Sequence, residues 1–517
     1  MQKSLNLDPL SGFSNLRSNV DSIMRIGPSL LDAIARLAIL ATLCFLRASS
    51  QELHRGFEAA PKPSVSGFQP LLTDPTGNFS LSFLRVNGTR LALAVVHVPS
   101  SQPLWVADPP RPARWSDRST RLSFNGSLVI SDPSSGVFWS TGTDGDRVVL
   151  LNSSNLQVQK QSDGGGGTPV VVWQSFDFPA DTLVENQNFT AAMSLTSSNG
   201  LYSMHMGSDF FALYANFGGD SDQMYWEHKA LEAKAQVVDG AGAVYARVDP
   251  GGFIAMYQNG SVPVDVEAFN SFQKSIDSFL LLRLESDGNL KGYYWTGSTW
   301  ATNYRAISGS CELPSPCGPY SLCSADGTCS CLDNRTEARP GLCSSAPGSG
   351  DFCGGGAGSG SGGFSVLRRV GVELPYKELM GYASVPSLDD CERACESNCS
   401  CWGAVYSNAT RFCYTIDYPI QTLLEVTDET KIGYFKVKPA PAGKGKGYEV
   451  GFGVGVLMSV LIVVAVVAVV GLVGYRVWRR RRRGGLKGHL AGEDGLAAGP
   501  YKDLGSASFR SIELSSR

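Results

Sequence analysis

Histidine is scarce in this chain: five residues in 517, at His54, His97, His205, His228 and His489, with no two near each other. No His-Glu-x-x-His pair and no Gly-x-Ser-x-Gly nucleophile turn occurs, which removes the zinc-hydrolase and serine-hydrolase arrangements. Val-Ala-Ile-Lys, His-Arg-Asp and Asp-Phe-Gly are all absent, so the sequence offers no phosphoryl-transfer machinery. Gly358-x-Gly-x-x-Gly363 lies in a Gly/Ser tract without a preceding strand pattern, so it is not a phosphate cradle. Carboxylate pairs such as Asp177 and Asp181 read as turn or cap residues. A glycosidase needs two facing carboxylates at a set separation, and nothing in the sequence points to such a pair. The chain is therefore read as a non-enzyme with no cofactor and no metal. A carbohydrate-active enzyme stands only as an alternative.

One long apolar run is present. Residues 450–475 hold 26 consecutive uncharged residues, from Val450 to Tyr475. At about 1.5 Å per helical residue such a run crosses a hydrocarbon core of about 30 Å with some tilt. Arg476 and Arg479 to Arg483 follow it, against Lys444 and Lys446 before it, so the positive-inside rule places the preceding residues outside the cell. From Arg479 onward nine Lys or Arg stand against four Asp or Glu, and the rest of the chain carries a net charge of about −8. That balance argues against a nucleic-acid partner for the outer part. Gly451 and Gly455 are spaced to let two such spans approach closely. At the other end, Leu30 to Phe45 followed by Ala48-Ser49-Ser50 reads as a signal peptide within residues 1–50, with Met24 as an alternative start.

Apart from Cys44, all twelve cysteines fall between Cys311 and Cys413, an even and clustered set that reads as disulfides in an oxidising compartment. N-x-Ser/Thr sequons at Asn78, Asn87, Asn125, Asn152, Asn188, Asn259, Asn334 and Asn408 agree with a secretory route. Asn398 is set aside because Cys399 lies inside its sequon. From about Val65 the chain shows short apolar alternations broken by Gly, Asn, Asp, Pro and Ser, such as Leu81-Ser-Phe-Leu-Arg-Val and Ser127-Leu-Val-Ile. Strands spaced this closely imply antiparallel all-β domains.

Leu104-Trp-Val-Ala-Asp, Gly126-Ser-Leu-Val-Ile-Ser-Asp, Val137-Phe-Trp-Ser-Thr and Trp173-Gln-Ser-Phe-Asp-Phe-Pro-Ala-Asp-Thr-Leu resemble the bulb-type (mannose-binding) lectin domain of plants. Leu284-Glu-Ser-Asp-Gly-Asn-Leu and Cys317-Gly-Pro-Tyr-Ser-Leu-Cys resemble the S-locus glycoprotein and S-receptor kinase ectodomain. The resemblance implies a sugar site of the form Gln-x-Asp-x-Asn-x-Val-x-Tyr, whose alternate residues face one side of a strand. Ser123, Asn125, Ser127, Val129 and Ser131 keep only Val; Leu151, Ser153, Asn155, Gln157 and Gln159 keep only Asn. Glu285, Asp287, Asn289, Lys291 and Tyr293 keep Asp, Asn and Tyr. The candidate carbohydrate-binding residues are therefore Glu285, Asp287, Asn289 and Tyr293. Asp287-Gly288-Asn289 also reads as an ordinary hairpin turn.

The spacing C-x5-C-x5-C-x5-C-x-C-x11-C over Cys311, Cys317, Cys323, Cys329, Cys331 and Cys343 allows fifteen pairings, and spacing alone does not choose. It resembles an EGF-like module, which implies Cys311–Cys323, Cys317–Cys329 and Cys331–Cys343. The acidic cluster of calcium-binding EGF modules is missing before Cys311. Ser387-Leu-Asp-Asp-Cys-Glu-Arg-Ala-Cys-Glu-Ser-Asn-Cys-Ser-Cys-Trp resembles a PAN/apple domain, which implies Cys391–Cys413 and Cys395–Cys401. Cys353 and Cys399 remain and are paired with each other.

The expected fold is mainly β: tandem β-prism lectin-like domains, an EGF-like module, an α+β PAN/apple domain and a single transmembrane helix. The expected boundaries are 1–50 signal peptide, 65–190 bulb-type lectin domain, 191–306 S-locus glycoprotein-like second lectin-like domain, 307–345 EGF-like, 353–440 PAN/apple, 450–475 membrane span and 476–517 cytoplasmic tail. The expected function is that of a plasma-membrane receptor-like glycoprotein without a kinase. Its expected partners are an extracellular glycan or protein ligand, and a receptor kinase or a second copy of itself. A structural cell-wall-contact glycoprotein is the alternative binding role.

Overall fold

The computed structural model describes residues 52–437 and Arg476, apart from 87, 108–112, 117–118, 163–166, 220, 231–236, 239–241, 273–277, 334–342, 344–351 and 353–363. The signal peptide, the membrane span, the tail beyond Arg476, Asn87, Asn334 and Cys353 named above thus lie outside the described residues. Among the described residues no helix is long and apolar enough to cross a membrane.

The first body is a prism of three antiparallel sheets, two of four strands and one of five. Three short strands open it: β1 (Glu52–His54), β2 (Phe57–Ala59) and β3 (Phe68–Thr73). Each lays the edge of a different sheet. The third continues into β4 (Phe79–Val86), β5 (Arg90–His97) and β6 (Gln102–Val106), with β7 (Ala113–Arg114) pairing at one end of β5. The second joins β8 (Arg121–Phe124), β9 (Leu128–Asp132) and β10 (Gly136–Ser140), and the first joins β11 (Arg147–Leu150), β12 (Leu156–Lys160) and β13 (Val170–Gln174). Period-2 patterning explains the core: along β9, Leu128, Ile130 and Asp132 are buried and Val129 and Ser131 are half-buried. Leu72, Leu81, Phe83, Leu93, Leu122, Phe124 and Val158 are fully enclosed, each stabilising the prism by about 1.5–3 kcal/mol.

The same plan is then repeated. Here β14 (Thr182–Val184), β15 (Asn188–Thr190) and β16 (Leu195–Thr196) again open three sheets. They are completed in reverse order. The last of them takes β17 (Tyr202–Met206), β18 (Phe210–Ala215) and β19 (Gln223–Lys229); the middle one takes β20 (Tyr245–Asp249), β21 (Phe253–Tyr257) and β22 (Asp265–Ala268); the first takes β23 (Leu280–Leu284), β24 (Leu290–Trp295) and β25 (Trp300–Arg305). The strands of the two prisms run over residues 52–174 and 182–305. The opening strands have two to six residues, too few for alternation to show. The first opening strand of each prism is placed by pairing with a strand about 100 residues away, as in Glu52 opposite Val149 and Thr182 opposite Arg283.

The cysteine-rich segments form one further body. β26 (Ser321–Cys323) pairs antiparallel with β27 (Cys329–Cys331) and parallel with a strand about 100 residues later. The remaining strands are β28 (Ser365–Val370), β29 (Val372–Glu373), β30 (Ala383–Ser384), β31 (Gly403–Ser407), β32 (Phe412–Ile416), β33 (Thr422–Glu425) and β34 (Lys431–Val437), with helix α1 at Leu388–Glu396. One sheet runs β27-β26-β33-β29 and the other β28-β34-β31-β32-β30. Ser387 caps the helix, its hydroxyl accepting the Asp390 N–H at 3.3 Å. Disulfides join Cys311 to Cys323, Cys317 to Cys329, Cys331 to Cys343, Cys391 to Cys413 and Cys395 to Cys401. Cys399 is also disulfide-bonded.

Candidate functional site

The residues with the sugar-site pattern sit at a hairpin, not along a strand. Strand β23 ends at Leu284, which pairs with Leu290, so Glu285, Asp287 and Asn289 occupy the turn. Side-chain alternation holds only within a strand, and the pattern therefore does not put these groups on one face. Asn289 is buried, and its amide closes on one backbone position: Nδ2 donates to the Ile307 carbonyl at 2.7 Å and Oδ1 accepts the Ile307 N–H at 3.1 Å. Asp287 accepts the Asn289 N–H at 2.9 Å and pairs with Lys291 Nζ at 2.7 Å. Tyr293 donates to Glu285 Oε1 at 2.6 Å, and burial followed by this carboxylate holds its hydroxyl pKa well above the usual range. The structure thus joins Glu285 to Tyr293 and Asp287 to Lys291, and uses Asn289 to anchor the chain where it leaves the second prism. The weaker pattern, in the turn before β12 and on that strand, is also internally paired: Asn155 and Gln157 both donate to Gln174 Oε1, at 2.9 and 3.3 Å.

A different constellation forms where the closing strands of the first prism meet. Trp105 on β6, Trp139 on β10 and Trp173 on β13 come together edge to face, with ring centroids 5.8–6.0 Å apart. Each closing strand carries a β-bulge just before its tryptophan, which turns that side chain inward. The sequence carries a signal for this in the equal spacing of 34 residues from Trp105 to Trp139 and from Trp139 to Trp173, although Trp115 intervenes. Composition and motif reading passed over it.

This triad forms the floor of a groove of about 860 Å³, within the about 300–1,000 Å³ of small-ligand sites. Phe178, 56 % exposed, stacks on Trp173 at 5.7 Å, and Trp105 Nε1 donates to the Phe178 carbonyl at 2.7 Å. Asp177 and Asp181 come from the link between the two prisms; Met193, Ser194, Thr196 and Ser198 close it from the second. Asp177 accepts from Gln174 at 2.8 Å and Asp181 from Thr182 at 2.7 Å. Aromatic faces with nearby carboxylates and hydroxyls suit a ligand with an apolar face and polar edges, such as a pyranose or a peptide side chain.

The second prism repeats the bulge-then-aromatic device at Trp226 and Tyr304. Strand β22 has no bulge and presents Glu267 opposite Ile254. A polar cluster results. His228 lies 2.7 Å from Asp265 and 3.2 Å from Glu267, under the rings of Phe211 and Trp226. Burial pulls the His228 pKa down, but hydrogen bonds and charge from Glu267 and Asp265 outweigh it and raise the pKa above 6.5. A raised folded-state pKa stabilises the fold below the unfolded value, and the gain is lost as pH rises through the folded value. The urea midpoint of the protein is therefore expected to fall as pH is taken from about 6 to about 8. His228→Gln is expected to flatten that slope, and an unchanged slope would remove His228 from the account. Among the described residues no group of three His, Cys, Asp or Glu is placed to hold a metal ion.

Comparison with known proteins finds three families along the chain. Residues 103–205 match the D-mannose binding lectin family, 255–335 the S-locus glycoprotein domain and 368–436 the PAN domain. A PAN domain-containing protein of Arabidopsis thaliana is 55% identical over 90% of this chain and 92% of its own length. A G-type lectin S-receptor-like serine/threonine-protein kinase of the same plant is 27% identical over 64% of this chain, which spans 40% of that kinase. Among solved structures, a two-domain fetuin-binding agglutinin from Scilla campanulata aligns over 50% of this chain and 94% of its own, at 16% identity and a TM-score of 0.18.

Proposed function

Because the chain belongs to the family of the Arabidopsis PAN domain-containing protein, built from lectin, S-locus glycoprotein and PAN domains, we propose that it is a non-catalytic, receptor-like recognition protein of the cell surface. Its double prism and PAN body face the exterior, and the run at 450–475 anchors it as a single-pass protein. Its ligand is an extracellular glycan or a protein, and a receptor kinase of the kind its relatives include carries the signal onward. The single observation that supports this reading is the groove floored by Trp105, Trp139 and Trp173 and rimmed by Asp177 and Asp181. The hairpin at 285–293 is a poorer seat, since its polar side chains already have partners.

A glycan and peptide array with the secreted protein, followed by calorimetry on the hits, tests the reading. Trp139→Ala combined with Phe178→Ala is expected to weaken binding about tenfold or more, as for an aromatic hot spot. Asp287→Ala is expected to leave it unchanged. Binding that survives the groove variant and is lost with Asp287→Ala would move the site to the hairpin and end this assignment.

A further inference from the structure

A second cleft, on the seam between the two prisms, is bordered by two glycosylation sequons that are distant in sequence. Asn78 ends the turn between β3 and β4, and Asn152 lies in the turn between β11 and β12. Both are exposed, and they are 74 residues apart. They stand on the rim of one cleft of about 380 Å³. Phe79 and His97 of the first prism and Phe279 and Trp295 of the second form its walls. The rings interlock across the seam: Phe79 and Phe279 are 5.0 Å apart, and His97 meets Trp295 edge-on at 4.9 Å. Burial lowers the pKa of His97, and its Nδ1 lies 2.8 Å from Ser100 Oγ, so its ring adds to an apolar wall at neutral pH.

We infer that this cleft is the seat of the chain's own N-linked glycan, carried by Asn78, whose first sugar packs against Trp295 and Phe279 and ties the two prisms together. The inference rests on the secreted, cell-surface reading above. Asn78 is the better placed of the two sequons because the next residue, Phe79, is itself a wall of the cleft and touches the second prism. In the modification, the Asn78 amide nitrogen bonds to the anomeric carbon of a lipid-diphosphate-linked oligosaccharide. The lipid diphosphate leaves and the nitrogen loses one proton. The proximal N-acetylhexosamine then offers its apolar face and acetyl methyl to the aromatic walls, while its remaining hydroxyls face solvent.

The test uses the full chain expressed in a secreting plant cell. Mass spectrometry of peptides reports which sequons are occupied, and native digestion with an amidase that removes whole N-glycans reports how shielded each one is. Asn78 is expected to be occupied and to be released about tenfold more slowly than the glycan at exposed Asn408, with equal rates after denaturation. Trimming to a single sugar is expected to leave amide-exchange protection of β24 intact. Complete removal, or Asn78→Gln, is expected to lower that protection about two- to tenfold, the range of one aromatic stacking contact. Asn152→Gln is expected to leave it unchanged. Occupancy of other sequons with Asn78 bare, or protection that follows Asn152 instead, would overturn the inference. If no sequon in the chain were occupied, the secretory reading itself would fall.

Discussion

Replacing Lys436 by Met is expected to destabilise the PAN body by about 3 kcal/mol, the scale for removing a buried charge from hydrogen-bonded partners. Lys436 is on β34 and is fully buried. Its Nζ donates to the carbonyls of Cys395 and Asn398, each at 2.9 Å. These carbonyls belong to the last turn of α1 and the residues after it, where a helix leaves acceptors without partners and favours positive charge. The ammonium also lies 5.0 Å from the ring centres of both Phe352 and Phe364. Methionine fills the volume but takes the ammonium donor away from one buried and one partly buried carbonyl, and it removes both cation–π contacts. Equilibrium urea unfolding followed through amide exchange in β31 and β34 measures the effect. A loss under about 1 kcal/mol would mean that water reaches these carbonyls and that the lysine is dispensable.

Trp105→Ala is expected to cost the first prism about 3–5 kcal/mol, the range for deleting a large aromatic from a close-packed core. Trp105 is only 7 % exposed and is in ring contact with both other members of the triad. Its indole also holds Phe178, and with it the rim of the groove, through the 2.7 Å bond to the Phe178 carbonyl. Trp105→Phe is expected to separate the two roles. It keeps most of the packing and loses the hydrogen bond, at about 1 kcal/mol, while ligand binding falls because Phe178 is no longer held. Thermal unfolding and calorimetry on the two variants check this. Equal stability loss in both would show that the indole N–H, rather than ring packing, dominates.

Much of this molecule is legible before any coordinates. Cysteines at 391 and 395 share a helix face because four residues make about one turn, and Ser387 marks the start of that helix. The tandem prisms follow from short alternating strands together with the family resemblance. The Asp287-Gly288-Asn289 segment shows where pattern reading fails. A site pattern and a turn pattern coincide there, and only the end of β23 at Leu284 decides between them. Strands β1 and β2 were missed because three residues carry no readable period. The groove was missed because its residues come from three strands and the link to the second prism, brought together only by prism closure. Lys436 gives no sign either: in sequence it is a charged residue in an alternating strand, and its burial follows from where α1 ends.

The parallel pairing of β26 with β33 has a practical consequence for anyone building chimeras. Ser321, Leu322 and Cys323 are buried, and their backbone partners are Thr422, Leu423 and Leu424. The threonine hydroxyl also accepts the Cys317 N–H at 3.0 Å. A graft that lifted residues 365–437 alone would bare that seam and leave a naked strand edge on each side. The smallest transplantable cassette is the whole stretch from Cys311 to Val437, and swapping its two halves between homologues exchanges incomplete pieces of a single sheet.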